Sequence, residues 1–178
     1  MLILRASKAM AVAATALPIS LVAFGNITDY ETNFAFVQHV LAMDTIFPNA
    51  TIHYRAVTSP GLHHTAYAII IAVEVLTAAL CWVGALRLVR QLRGAVQDFS
   101  HAKRTAVAGL TLGLMLWQVG FIAIGGEWFG MWMSQQWNGL PSAFRYLTMT
   151  LGVLIFVALP DPDIRAEEKA DQRSAEQR

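Results

Sequence analysis

The sequence predicts an all-α protein, a four-transmembrane-helix bundle with an additional interfacial helix in the first outer loop. Hydrophobic residues make up 56% of the 178-residue chain and charged residues only 14%, whereas a typical soluble domain carries about 25% charged residues. The charges are clustered, which leaves four apolar stretches close to the roughly 20 residues that a membrane-spanning helix needs. The uneven placement of Lys and Arg around these stretches is the second observation, and it predicts the orientation.

Four predicted spans divide the chain, each within the range of about 17–25 residues that is typical of a spanning helix. They are Ala9–Gly25, Ala66–Val89, Thr105–Gly126 and Ala143–Pro160. The chain is therefore expected to form one membrane domain, residues 1–160, with outer-face segments 26–65 and 127–142. A charged cytoplasmic tail, 161–178, follows it.

Lys and Arg lie mostly on one side of the predicted membrane. Eleven of the thirteen fall at the N-terminus, in the connection after the second span or in the tail, and only Arg55 and Arg145 fall on the other side. Positive charge concentrates in cytoplasmic segments, so both termini are predicted to be cytoplasmic. A secretory signal, the alternative for the first span because Arg5 and Lys8 precede its apolar run, would still leave 26–65 outside.

Arginines recur at every third position from the end of the second span into the connection that follows it, at Arg87, Arg90 and Arg93. Such a series can meet anionic lipid phosphates at the membrane surface. An ordinary cytoplasmic anchor is the simpler interpretation, and the sequence favours it.

The interfacial helix is predicted over Phe34–Phe47, inside the 26–65 segment. Its apolar residues fall on two adjacent helical stripes, and Thr32 or Asn33 can cap its start. The second outer connection is rich in tryptophan and glycine, as expected for an aromatic belt at the membrane interface. We expect the two segments to pack together, and the predicted outer-face interaction residues are Phe36, His39, Asp44, Trp128, Trp132 and Trp137.

Glu74 is the only charged residue deep inside a predicted span. An acid at the bilayer centre costs about 2.5–3.5 kcal/mol on insertion scales, so Glu74 is expected to face the bundle and to have polar partners. Helix rise places several polar residues at similar depth. The predicted intramembrane layer comprises Glu74, Gln118, Thr148, Thr150 and Ser20. Gly109 and Gly113 in the third span also form a small-residue pair, which allows close helix packing in the bundle or dimerisation.

No cofactor, metal or catalytic residue is predicted. No histidine lies within an apolar span, where the axial ligand of a membrane haem is needed, and no metal or nucleotide motif is present. An outer metal site built from His39, His53, Asp44 and His63 or His64 is the less favoured alternative. The outer acids are expected to pair with the outer cations, Asp44 with Arg55 and Glu127 with Arg145.

The chain resembles the bacterial family of predicted small integral membrane proteins of unknown function. The residues that carry the resemblance are those of 26–30, 33–45 and 126–132, together with Trp137-Asn138-Gly139. The resemblance covers nearly all of the chain up to Pro160. It implies a four-helix protein of the bacterial inner membrane, and it supplies no activity and no functional residues.

Three functions remain open. The favoured one is a non-catalytic accessory or assembly subunit of a larger bacterial inner-membrane complex, since catalytic signatures are missing. The alternatives are a small oligomeric transporter or channel built around Glu74, and a quinone-site or interfacial enzyme. The expected partners are the lipid bilayer and other membrane protein subunits or a second copy of the chain, with no role for nucleic acid.

Overall fold

The computed structural model describes residues 2–161, and these form a bundle of long apolar helices without strands. The helices are α1 (Leu2–Thr28), α2 (Tyr30–Ala42), α3 (Pro60–Arg90), α4 (Val96–Met115) and α5 (Leu140–Ala158). A π-helical segment, Leu116–Trp128, continues α4. Short 3-10 turns occur at His53–Arg55 and Met131–Met133. The prediction of an all-α protein with four spanning helices is confirmed.

The four membrane-spanning helices are α1, α3, α5 and the helix that α4 forms with the π segment. Each is long and apolar enough to cross a bilayer. In the bundle α1 packs on α3, α3 on α4 and α4 on α5, while α5 also contacts α1. α1 continues through Pro18 without a break. α1, α3 and the helix that α4 forms with the π segment extend past the predicted spans at both ends, whereas α5 begins three residues earlier than predicted and ends two residues earlier.

Two glycines bring α3 and α4 together. A Cβ added to Gly84 would lie 2.6 Å from the Cα atom of Ala106, and one added to Gly109 would lie 2.9 Å from the backbone nitrogen of Cys81. Gly113 faces Thr77 of α3 in the same way, at 3.0 Å from its methyl group. The glycine pair of the third span therefore serves packing inside the bundle, which is the first of its two predicted uses.

The interfacial helix exists, but its predicted bounds were wrong. α2 begins at Tyr30, with only Asp29 between it and the end of α1, and it stops at Ala42 because Met43 takes a left-handed conformation with φ 53°. The Met43 side chain is fully buried, so packing holds this C-terminal turn in place. Residues 44–47 consequently form a turn rather than the last turn of the helix.

The two ends of the bundle differ in construction. We call the end that carries residues 29–64 and 127–145 the aromatic end, and the end that carries Arg5, Lys8, residues 91–95 and Asp161 the basic end. The connection at the basic end, between α3 and α4, is short. The first connection at the aromatic end is long enough to contain α2 and a 3-10 turn, and the second contains another 3-10 turn. Residues 162–178, which hold the rest of the predicted tail, lie outside the described residues.

Candidate functional site

The intramembrane acid is buried in the half of the bundle nearer the aromatic end. Glu74 is 1% exposed, and its Oε2 accepts a hydrogen bond of 2.7 Å from the Asn26 side chain on α1. Tyr67, two turns earlier on α3, is also buried, and its hydroxyl donates to the Asn26 backbone carbonyl at 3.0 Å. Glu74, Asn26 and Tyr67 thus form a polar bridge between α1 and α3.

The other residues of the predicted layer divide into two groups. Thr150 is buried like Glu74, and Ser20 is half-buried and accepts a hydrogen bond from Trp82 Nε1 at 3.0 Å. Gln118 and Thr148 are exposed on the outside of the bundle, so the expectation that they face Glu74 is wrong. The Thr148 hydroxyl is satisfied by the carbonyl of Phe144 at 2.8 Å.

Helix geometry explains this division. The depth of a residue follows from its distance along the helix, and depth was the basis of the prediction. The face that a residue presents depends on how its helix is rotated in the bundle, and the change from α-helical to π-helical hydrogen bonding shifts that rotation after Met115. Gln118 thereby shares the exposed face of the π segment with Val119, Ala123 and Ile124.

Below the polar bridge, two buried threonines face one glycine. Thr77 and Thr150 each lie close to Gly113, and neither hydroxyl has a hydrogen-bond partner in the part of the chain that the structure describes. Trp117 is likewise buried, and its ring stacks on Tyr146 at a centroid distance of 4.6 Å. The buried side chains named here next to Glu74 along the bundle are hydroxyl and aromatic groups, none of which carries a charge.

The aromatic end is a cap built from the two long connections. His39 of α2 stacks on Trp137 at 4.6 Å, Phe36 meets the same ring edge-on at 6.3 Å, and Phe47 meets Trp132 at 5.9 Å. Thr45 and Ser134 add a hydroxyl–hydroxyl hydrogen bond of 2.8 Å. These contacts confirm that the first outer segment packs against the tryptophan-rich connection.

The charged residues of the cap pair differently from the prediction. Asp44 binds His39 at 2.8 Å, not Arg55. Arg55 instead stacks on Trp128, with its guanidinium carbon 4.6 Å from the ring centre, and donates to the Trp128 carbonyl. Arg145 donates to the Ser142 hydroxyl at 2.9 Å, and not to Glu127. An aromatic face and a carbonyl thus replace the expected carboxylate at Arg55, and a hydroxyl replaces it at Arg145.

The histidines at the aromatic end each have their own contacts and do not share a common site. His64 stacks on Phe34 at 4.1 Å and bonds the Tyr30 hydroxyl at 2.8 Å, and His63 bonds the Val57 carbonyl at 2.6 Å. Within residues 2–161 no three His, Cys, Asp or Glu side chains come close enough to hold a metal ion. The alternative of a metal site built from His39, His53 and Asp44 is therefore not formed there.

An apolar pocket of about 240 Å³ lies between α2, α3 and the π segment. Its walls include Phe36, Ile69, Phe121, Ile124 and Met131, and Ile69 and Ile124 are also exposed on the outside of the bundle. The lining side chains carry no hydrogen-bond donor. The pocket therefore fits a hydrocarbon chain and offers nothing to orient a quinone ring.

The basic end contains a buried charge cluster that sequence reasoning missed. The Asp161 carboxylate binds Lys8 at 2.9 Å and also binds Lys103, and both lysines donate to the carbonyl of Leu159. Arg5 is 1% exposed, donates to the carbonyls of Leu92 and Gly94, and stacks over Phe99. Asp161, predicted to begin the charged cytoplasmic tail, is instead buried in the bundle.

A signal for this cluster is present in the sequence, because Asp161 follows Pro160 directly after an apolar span. The polar bridge around Glu74 is also indicated in the sequence, since Tyr67 precedes Glu74 by two helical turns on the same face. In neither case does the sequence show which residue of another helix is the partner. Long-range pairing of this kind depends on how the helices are arranged, which local spacing does not determine.

Comparison with known proteins identifies the family. The model of a family described as predicted small integral membrane protein matches residues 4–160, nearly the whole described chain. No curated protein and no solved structure matches. The four apolar helices agree with that description, and the chain is an integral, multi-pass membrane protein in contact with the lipid bilayer. The chain belongs to the family of predicted small integral membrane proteins.

Proposed function

We propose that this chain is a non-catalytic accessory or assembly subunit of a larger bacterial inner-membrane complex, and that Gln118 lies at the centre of its contact surface within the bilayer. The observation that carries the proposal is the exposure of Gln118 on the outside of the bundle. Sequence reasoning placed this residue inside, where it would have served the bundle itself.

The depth of Gln118 makes its exposure costly. It precedes Trp128 by ten residues of the π-helical segment, at most roughly 15 Å, because a π-helix rises less per residue than the 1.5 Å of an α-helix. The hydrocarbon core of a bilayer is about 30 Å thick, so the amide group faces lipid tails and not water. An amide without a hydrogen-bond partner in an apolar medium costs a few kcal/mol.

The rest of this chain does not compensate that cost. Ser20 and Thr148 hydrogen-bond Trp82 and the Phe144 carbonyl, whereas the Gln118 side chain makes no hydrogen bond within residues 2–161. Polar side chains of this kind join transmembrane helices of different subunits, at up to about 1–2 kcal/mol each. A helix from another membrane protein is the occupant that supplies both the missing partner and a dry surface.

The alternatives have weaker support. A transporter built around Glu74 needs the acid to be accessible from a pore, and Glu74 is instead tied to Asn26 in the interior. A quinone enzyme needs polar groups beside its apolar pocket, and the pocket offers apolar walls. Exposed aromatic residues at the cap, Trp128 and Trp132 among them, give a second surface on which a partner can rest.

The test compares two variants on the same exposed face. We expect Gln118→Leu to lose a partner that co-purifies with the wild-type protein from native membranes in mild detergent, and Ile124→Leu to retain it. Mass spectrometry of the co-purified proteins is the measurement. Loss of the partner in both variants would assign the contact to general apolar packing. A stable homo-oligomer without any other protein would contradict the accessory role and favour the oligomeric transporter.

A cysteine introduced at position 118 gives an independent measurement. The chain contains one natural cysteine, Cys81, which is buried and therefore poorly placed to cross-link. In a Cys81→Ala background, Gln118→Cys is expected to cross-link to a different protein in native membranes. Thr77→Cys, at a buried position, is the matched control and should not react. Cross-linking only to a second copy of the chain would argue for self-association.

The proposal also includes an orientation, with the basic end in the cytoplasm. The excess of Lys and Arg at that end supports it. Reporter fusions after Pro160 and within residues 91–95 should then read as cytoplasmic, and fusions near Asn49 as periplasmic. A periplasmic reading after Pro160 would reverse the orientation.

A further inference from the structure

We propose that the basic end binds a singly charged phosphate ester, of the kind that an anionic phospholipid carries in its headgroup. The site is a pocket between the last turn of α3 and the first turns of α4. It is lined by Arg87, Arg90, Gln91, Asp98, His101 and Ala102. This inference does not depend on the proposed subunit role.

The shape of the pocket follows from the short connection between the two helices. α3 ends at Arg90 and α4 begins at Val96, and hydrogen bonds from Gln91 and Gly94 close the turn between them. The resulting space measures about 380 Å³, enough for a phosphate group and its ester substituents. Side chains from both helices therefore surround it, in contrast to a row of charges on one flat face.

The charges in the pocket match a monoanion. Arg87 and Arg90 are one helical turn apart and lie on the same side of α3. Arg87 Nη1 donates to Thr105 Oγ1 on α4 at 2.6 Å, which fixes its guanidinium across the gap between the helices. With Asp98 as the acid in the pocket, the fixed charges sum to one positive charge when His101 is neutral. Within residues 2–161 no ion pair joins Asp98 to either arginine.

The donors also have the chemistry that a phosphate ester requires. A guanidinium presents a planar fork of N–H groups that matches two phosphate oxygens at once. The Gln91 amide and the His101 ring add neutral donors at the same pocket. Arg87, Arg90 and His101 are exposed, so a ligand reaches them without displacing the fold.

The position of the pocket along the membrane normal favours a lipid as the source of the phosphate ester. α3 has 31 residues, about 46 Å at 1.5 Å per residue, whereas the hydrocarbon core is about 30 Å thick. Arg87 and Arg90 are in its last turn, beyond the hydrocarbon and at the level of the headgroups. Basic pockets between transmembrane helices at this level bind anionic headgroups.

The experiment measures lipid retention by the full-length protein. Protein purified from nanodiscs that contain equal amounts of phosphatidylglycerol and phosphatidylcholine is analysed by native mass spectrometry. We expect the wild type to retain phosphatidylglycerol selectively, and Arg87→Gln/Arg90→Gln to retain roughly 25-fold less, since each basic residue near the surface contributes about a factor of five. The matched control, Arg93→Gln/Arg104→Gln, removes the same charge from exposed positions outside the pocket and should retain it.

Equal loss in both double variants would overturn the proposal, because it would show a diffuse charge effect. Absence of any preference for phosphatidylglycerol in the wild type would also overturn it, unless soluble glycerol phosphate or inorganic phosphate binds in its place. Binding of a soluble phosphate that is lost in the pocket variant alone would support the same site with a soluble ligand.

Asp98→Asn gives a second test that does not remove an arginine. It should increase the retention of phosphatidylglycerol, because it removes the negative charge from the pocket. Unchanged or lower retention would contradict the assigned charge balance.

Discussion

The two ends of the bundle are stabilised by different kinds of contact. At the basic end, buried charges from distant parts of the chain meet, as Lys8 and Lys103 do at Asp161. At the aromatic end, rings stack on one another and on cations, as His39 does on Trp137 and Arg55 on Trp128. A buried charge that loses its partner keeps its full desolvation cost, whereas a stacked ring that loses a neighbour gives up only part of its contact area. The basic end should therefore be far more sensitive to single substitutions.

The largest effect is expected for Asp161→Asn. The change removes the carboxylate that binds two buried lysines, and breaking a buried ion pair costs about 3–5 kcal/mol. The free energy of unfolding in mixed detergent micelles, followed by circular dichroism, measures it. The control is Glu127→Gln, which changes an exposed carboxylate at the aromatic end and should leave stability nearly unchanged. Equal effects of the two changes would remove the distinction between the ends.

The next largest effect is expected for substitutions of Glu74. Glu74→Leu leaves the Asn26 amide without its acceptor in the interior, at a cost of about 1–3 kcal/mol. Glu74→Gln keeps an acceptor oxygen at the same position, and its unfolding free energy should stay close to that of the wild type. The same denaturation measurement separates them. If the glutamine variant is as unstable as the leucine variant, the bundle requires the carboxyl group itself and not only an acceptor oxygen.

Alanine substitutions of glycine test whether the packing between α3 and α4 is more rigid than the packing at the aromatic end. Gly84→Ala places a methyl group against the backbone of Ala106, which cannot move without separating α3 from α4. Overpacking of this kind costs about 1–3 kcal/mol. Gly139→Ala, at the aromatic end, meets the far end of the Phe36 ring, which can swing aside. Thermal unfolding should show a clearly larger loss for Gly84→Ala, with Gly152→Ala as a neutral control in open space.

The smallest effect is expected for Asp44→Asn. Asp44 and His39 are joined at 2.8 Å, but their side chains are 46% and 34% exposed. Exposed pairs of this kind contribute about 0–1 kcal/mol, and His39 keeps its stacking on Trp137. Denaturation of the variant should give a difference near the detection limit. A loss as large as that of Glu74→Leu would mean that the cap depends on charge as much as the basic end does.

Composition and local spacing determined much of this protein. Long uncharged runs predict spanning helices because a bilayer requires every backbone group to be satisfied within its own segment. That argument is local, so it found four spans, the interfacial helix and the burial of Glu74. It also predicted that Gly109 allows a close helix approach, although not that Cys81 would be the residue it meets.

The rotation of each helix in the bundle, and the partners that side chains meet on other helices, were decided only by the tertiary structure. Helix rise gave Gln118 its depth, but the π-helical segment and the packing of its neighbours turned the side chain outward. Asp161 was predicted to begin the charged cytoplasmic tail, and in the structure it is the counter-ion of Lys8 and Lys103, which precede it by 153 and 58 positions. Depth along a helix depends on the local chain alone, whereas the face that a residue presents and the partner that it meets depend on every helix packed around it.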